Sequence, residues 1–217
     1  MEKFQGFRMD VFDLWLEICS GDEISSEVIK EKYKTYITQP LIKLYDKILP
    51  SLQLISDDFE LAPARCISSP YTDMRFSRGQ KYKNYMYLRF KQWGKENDIC
   101  GLYFDMGSEF YSYGFRIYRQ TNEGMRIAKE KIINNMIHFL RLIDPVVEHG
   151  FEIYGEDYKK DHFPNFRDSN VKKILNKKNF YIGKRVKLNK NVFSAVLADE
   201  IIEGFFCVSE IYNFLKT

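Results

Sequence analysis

The stretch TDMRFSRGQKYK, residues 72–83, sets Arg75, Arg78, Lys81 and Lys83 around Ser77 and Gly79. Cations beside a Ser–Gly turn can hold phosphate or carboxylate. Arginine offers a planar two-pronged donor, lysine a point charge, and the turn adds a hydroxyl and backbone N–H groups. On that chemistry the candidate anion-binding residues are Asp73, Arg75, Ser77, Tyr82, Lys83 and Arg89, with Asp73 orienting Arg75. The stretch does not follow the G-x-x-x-x-G-K-S/T pattern and precedes a strand rather than a helix, so it is not a nucleotide P-loop. A purely architectural reading stands beside this one: Asp73 and Arg75 form a buried or half-buried pair that fixes a hairpin.

Two other constellations could bind a partner. The alternating run that follows puts Tyr85, Tyr87 and Arg89 on one strand face, with Tyr103 and Asp105 on the neighbouring strand. Aromatics interleaved with cations can stack the bases of single strands, but the glycine–aromatic signature of the RNA-recognition sheet is missing. Packing of such a face beneath helices is the plainer expectation. Between Lys159 and Lys190 lie eleven Lys/Arg against Asp161 and Asp168, a local net of +9. That patch could track nucleic acid or an acidic partner, or form a solvated face.

Catalytic and metal motifs are sparse. No H-E-x-x-H and no G-x-S-x-G occurs. His149 and His162 stand beside Glu148 and Asp161, but adjacent side chains diverge, so no metal site is assigned, and no cofactor motif is present. His138 is expected near the core of a helix. Cys19, Cys66, Cys100 and Cys207 are scattered without a C-x-x-C pair and read as buried free thiols of a cytoplasmic protein. No apolar run is long enough to span a membrane.

The 217 residues suffice for one well-cored domain, and 45% are hydrophobic. Aromatics are abundant, with 18 Phe and 15 Tyr, while the net charge of +3 imposes no strong overall field. Helical spacing runs from Val11 to Ile18. It resumes from Val28 to Leu52, with Pro40 as a kink or a new first turn and Pro50 as the stop. Period-two alternation then takes over in 81–91, 100–106 and 110–119, with short gaps that favour antiparallel hairpins. In the first of these hairpins Asp73, Arg75 and Phe76 belong to the strand before the turn, and Ser77 to Gln80 form the turn. A long helix follows from Thr121 or Asn122 to Pro145. Next come a short strand at 151–154, a basic helix through Leu175, a strand at 180–188 and a final helix opened by Asn191. The fold class is α+β: a central antiparallel sheet of about four to six strands flanked by N-terminal, middle and C-terminal helices.

Nearly the whole chain, from about Phe12 to Leu215, resembles the domain-of-unknown-function family 2461, a set of conserved hypothetical proteins. The similarity is carried by KEKYKTYITQPLIKLYDKI, by TDMRFS followed by YK, by GLYFDMGSEFYSYGFRIY, by GEDYKKDHFP and by NFYIGKRVKL. It implies a single α+β domain and no established activity. Against the family's central motif, roughly R-x-x-R-D-x-R-F-S-K-D-K-S-P-Y-K, the matching positions are Asp73, Arg75, Phe76, Ser77, Tyr82 and Lys83. Ser69 and Thr72 replace the two upstream arginines. The loop after Ser77 is shorter and rewritten as Arg78-Gly79-Gln80-Lys81.

Overall fold

The computed structural model describes residues 3–20, 25–73, 75, 81–94, 99–167 and 169–216. Five strands form one antiparallel sheet in the order β1-β2-β3-β5-β4: β1 Met86–Lys91, β2 Ile99–Met106, β3 Phe110–Tyr118, β4 Glu152–Tyr154 and β5 Tyr181–Lys187. With helices around it, the chain is α+β.

The first three strands form a meander because each alternates in period two and short connections join them. Tyr87 pairs with Asp105, which pairs with Ser112, so these three share one face. On the other face Leu88, Phe104 and Tyr113 are buried. β5 then enters between β3 and the short β4, a non-local pairing that no local pattern announces.

Helix α8 (Val196–Leu215) lies across the buried face and contacts β2 and β3. Leu197, Ile201, Phe205, Val208 and Tyr212 on it are fully buried, as expected of a helix wedged between a sheet and further helices. Behind it packs α3 (Gln39–Ile55), which bears Leu41, Leu44, Ile48 and Leu52 at helical spacing. A π-helical turn, Lys34–Thr38, joins α3 to α2 (Ser26–Tyr33), and α1 (Asp10–Ser20) packs against α2 and this turn. Tyr111 and Tyr113 lie beneath α8 and both hydroxyls donate to Glu200, at 2.9–3.1 Å, so these buried phenols are satisfied.

Several expectations need correction. Pro40 opens α3, but Pro50 lies inside it, and the helix runs on to Ile55. The long middle helix breaks at Asn135 into α5 (Asn122–Asn134) and α6 (Met136–Glu148), and Pro145 sits within α6 rather than ending it. His138 is exposed. Among the cysteines only Cys66 and Cys100 are buried; Cys19 is exposed and Cys207 half-buried. A 3-10 turn, Lys190–Phe193, precedes α8. The strand expected from Lys81 begins only at Met86. Among the described residues its hairpin partner pairs through the Tyr71–Tyr82 bridge and its flanking backbone bonds, and the chain before it folds into α4 (Pro63–Cys66) and isolated bridges along β1. Those bridges, Phe59–Gln92 and Ile67–Leu88, cover the edge of β1 that would otherwise offer unpaired backbone groups.

Candidate functional site

The sheet face turned away from α8 is where ionisable side chains gather. Register puts Tyr87, Arg89 and Lys91 of β1 beside Asp105, Tyr103 and Gly101 of β2. Ser112, Gly114 and Arg116 of β3 come next, then Arg185, Gly183 and Tyr181 of β5. The expectation that the face of Tyr85, Tyr87, Arg89, Tyr103 and Asp105 packs beneath helices therefore fails; the tyrosines that do lie beneath a helix are Tyr111 and Tyr113 of the opposite face. Arg89, Asp105, Ser112, Arg116 and Tyr181 stay half-exposed, Arg185 is exposed, and the helix contacts of β2 and β3 come from α8 on the opposite side.

Glycine at the centre of this face lets two phenol rings lie across the sheet. A methyl on Gly183 would stand 2.1 Å from Tyr103 Oη, and one on Gly101 would stand 3.1 Å from Tyr118 Cε2. Tyr103 and Tyr118 are consequently buried. Neither the Tyr103 nor the Tyr118 hydroxyl has a hydrogen-bond partner among the described residues. Burial pushes both phenols well above their ordinary range.

Cations ring these phenols. The Arg89 guanidinium lies 3.7 Å from the Tyr87 ring centre and 5.9 Å from that of Tyr118. Arg116 stands 5.7 Å from Tyr118 and 5.3 Å from Tyr181, and Lys91 Nζ is 5.1 Å from Tyr118. Neither Arg89 nor Arg116 makes an ion pair or hydrogen bond among the described residues, so the rings fix their orientation while their N–H donors stay unspent. Between them Asp105 likewise lacks a partner. Burial raises its carboxyl above the usual range, with Arg89 and Arg116 opposing that rise.

Three clefts open on this face. One of about 500 Å³ is lined by Tyr85, Arg89, Asp105, Phe110, Tyr181 and Arg185, among others. A second, about 570 Å³, shares Arg89 with the first and adds Arg65, Lys91, Trp93 and Arg119. A third, about 540 Å³, runs from Arg116 and Tyr181 to Arg119 and Lys178, at the start of α5. Arg119 holds φ at +49°, the left-handed region that non-glycine residues seldom occupy, where β3 turns into α5.

Of the residues singled out from sequence, the structure brings Lys83 and Arg89 together over one ring, Lys83 Nζ standing 5.1 Å from the centre of Tyr87. Lys83 is only 6% exposed and donates to the Ser69 carbonyl at 2.8 Å; burial first, and Arg89 second, lowers its pKa. Tyr82 is buried and donates to the Ser26 carbonyl at the start of α2. Asp73 and Arg75 pair bidentately at 2.9 and 2.6 Å, but with side chains 46% and 80% exposed, so the pair is neither buried nor half-buried. Both lie past the Tyr71–Tyr82 bridge, in the loop rather than in a strand. Ser77, with the turn 77–80, lies outside the described residues.

The model of a family described as conserved hypothetical protein (DUF2461) matches residues 27–214. The chain belongs to this family. A search of curated proteins returned no match. In this DUF2461 protein the Tyr-Lys end of the D-x-R-F-S…Y-K motif anchors the hairpin to α2 and to Ser69, while its Asp and Arg pair with each other at the surface.

The basic run 159–190 is engaged in part with the fold. Lys172 pairs with Asp161 and Lys177 with Asp157, each at 3.0 Å. Lys178 pairs with Glu156 at 2.5 Å, and Lys184 donates to the His149 carbonyl. Two of those acids, Glu156 and Asp157, lie just upstream of the run, so its local charge overstates the free positive surface. Sequence reasoning reached Arg89 but missed Arg116, Tyr118, Tyr181 and Arg119. For Arg116 a signal existed: it shares parity with Ser112 and Gly114 along β3, opposite the buried Tyr113 and Phe115.

Proposed function

We propose that this protein binds a small phosphate- or carboxylate-bearing ligand on the open sheet face, between Arg89 and Arg116. The observation that carries the reading is the pair of guanidiniums steadied by tyrosine rings, neither of which makes an ion pair or hydrogen bond among the described residues. Guanidiniums held in place before a ligand arrives lose little freedom on binding, and their forked donors match the oxygens of phosphate and carboxylate. Lys91, lining the adjoining cleft, adds to the positive potential there. The candidate set from sequence enters through Arg89; Tyr82 and Lys83 support the reading only indirectly, by fixing the chain that leads into β1.

The test is calorimetric titration and thermal shift with sulfate, inorganic phosphate and organic phosphates at low salt. Wild-type protein is expected to bind, more weakly as salt rises. Arg89→Ala and Arg116→Ala are each expected to lose binding while still unfolding cooperatively. Equal binding by wild type and both variants, or no binding by wild type, overturns the proposal.

A further inference from the structure

Asp105 is at odds with a site that only collects anions. Its carboxylate lies on the same face as Arg89 and Arg116, flanked in register by Tyr87 and Ser112, yet it pairs with neither arginine. It lines the 500 Å³ cleft together with Arg89, Arg185, Ser108, Glu109 and Ser112. An unpaired carboxylate beside an incoming phosphate repels it unless the ligand also brings a hydrogen-bond donor to the carboxylate. The walls around it add a second constraint. Tyr85, Phe110 and Tyr181 offer ring surface, and Ser108 and Ser112 offer hydroxyls. Aromatic surface mixed with short hydroxyls and carboxylates suits the alternating C–H and O–H faces of a polyol better than a purely apolar group.

Building on the anion-binding reading above, we infer that the ligand is a polyol anion of the sugar-phosphate kind. Its charged group sits on Arg89 and Arg116, and Asp105 accepts hydrogen bonds from its hydroxyls. Asp105 is then the residue that sets specificity: it discriminates against anions without hydroxyls and rewards those that have them. A site built to bond a substrate hydroxyl rejects the analogue lacking it, because the buried acceptor is left without a partner.

The probes are glycerol phosphate, ethyl phosphate and phosphoethanolamine, which share the phosphate and differ in carrying hydroxyls, neither group, or an ammonium. Titrations use the full chain. In wild type, glycerol phosphate is expected to bind about ten- to a hundredfold more tightly than ethyl phosphate, the range a hydrogen bond to a charged acceptor supports. In Asp105→Ala that preference is expected to disappear, while ethyl phosphate binds more tightly than before because the repulsion is gone. That gain also reports that the variant is folded. Equal affinity of wild type for glycerol phosphate and ethyl phosphate overturns the inference and leaves the anion site standing. A clear preference for phosphoethanolamine overturns the polyol assignment in favour of an amine. Failure of all three to bind overturns both readings.

Discussion

Tyr103 of β2 reaches across β3 until its hydroxyl occupies the space a side chain on Gly183 of β5 would take, 2.1 Å from where that Cβ would stand. The next neighbours of such a Cβ are Tyr103 Cζ at 3.3 Å and the Tyr113 carbonyl at 3.4 Å, so the tip of one phenol is the main obstruction. Gly183→Ala is expected to displace the Tyr103 ring rather than to break the β3–β5 ladder. The cost of overpacking is about 1–3 kcal/mol in urea unfolding. Phosphate binding should fall because the floor beneath Arg116 is disturbed. Unchanged stability together with unchanged binding would show that Tyr103 has room to yield and is not part of the site.

Asp105 gives a prediction of the opposite sign. Burial raises its carboxyl pKa in the folded state, only partly countered by Arg89 and Arg116. The folded protein therefore holds this proton to higher pH than the unfolded chain does. The stability this group contributes is present below the ordinary carboxylate pKa and is lost as pH rises through the raised folded value. At neutral pH the ionised, unpaired group is a net cost. Asp105→Asn is expected to raise Tm at neutral pH by about 2–4 °C, equivalent to roughly 1 kcal/mol for a chain of this length, with the gain shrinking toward acid pH. Thermal melts of both proteins across pH provide the check. A loss of stability at neutral pH would mean that the carboxylate is already satisfied within the fold.

The unevenness of what sequence conveyed follows from how locally each feature is encoded. Tyr87, Arg89, Tyr103 and Asp105 could be placed on one face because β1 and β2 alternate strictly and a short connection fixes their register. Arg116 and Tyr181 could not be joined to them, because β5 comes after two helices, β4 and α7 (Asn170–Leu175) before inserting beside β3. Pro50 and Pro145 are poor stop signals here. Each lies in an apolar helix whose buried residues continue past it, Leu52 and Ile55 in one and Val146 in the other, so packing outweighs the lost hydrogen bond. The opposite failure, the strand expected from Lys81, has a similar cause. The backbone of 81–83 pairs with 70–72 through the Tyr71–Tyr82 bridge, while the side chains of Tyr82 and Lys83 tie this segment to Ser26 and Ser69.

That last arrangement makes the two ends of the D-x-R-F-S…Y-K motif separable by experiment. Asp73 and Arg75 form an ion pair two residues apart, at the surface, where solvent screens the attraction and a local pair constrains little of the chain. Asp73→Ala and Arg75→Ala are expected to leave Tm unchanged. Lys83 is different: its ammonium is buried, and it supplies a donor to the Ser69 carbonyl at 2.8 Å, joining the segment before the loop to the segment after it. Lys83→Met keeps the aliphatic length, removes a hydrogen bond from a charged donor and leaves the Ser69 carbonyl without it. The expected cost is about 1–3 kcal/mol in urea unfolding. If the motif served an anion directly, Arg75→Ala would weaken phosphate binding as strongly as Arg89→Ala does. If its role is to seat the hairpin, binding follows Arg89 and stability follows Lys83, and measuring both properties in all four variants distinguishes the two.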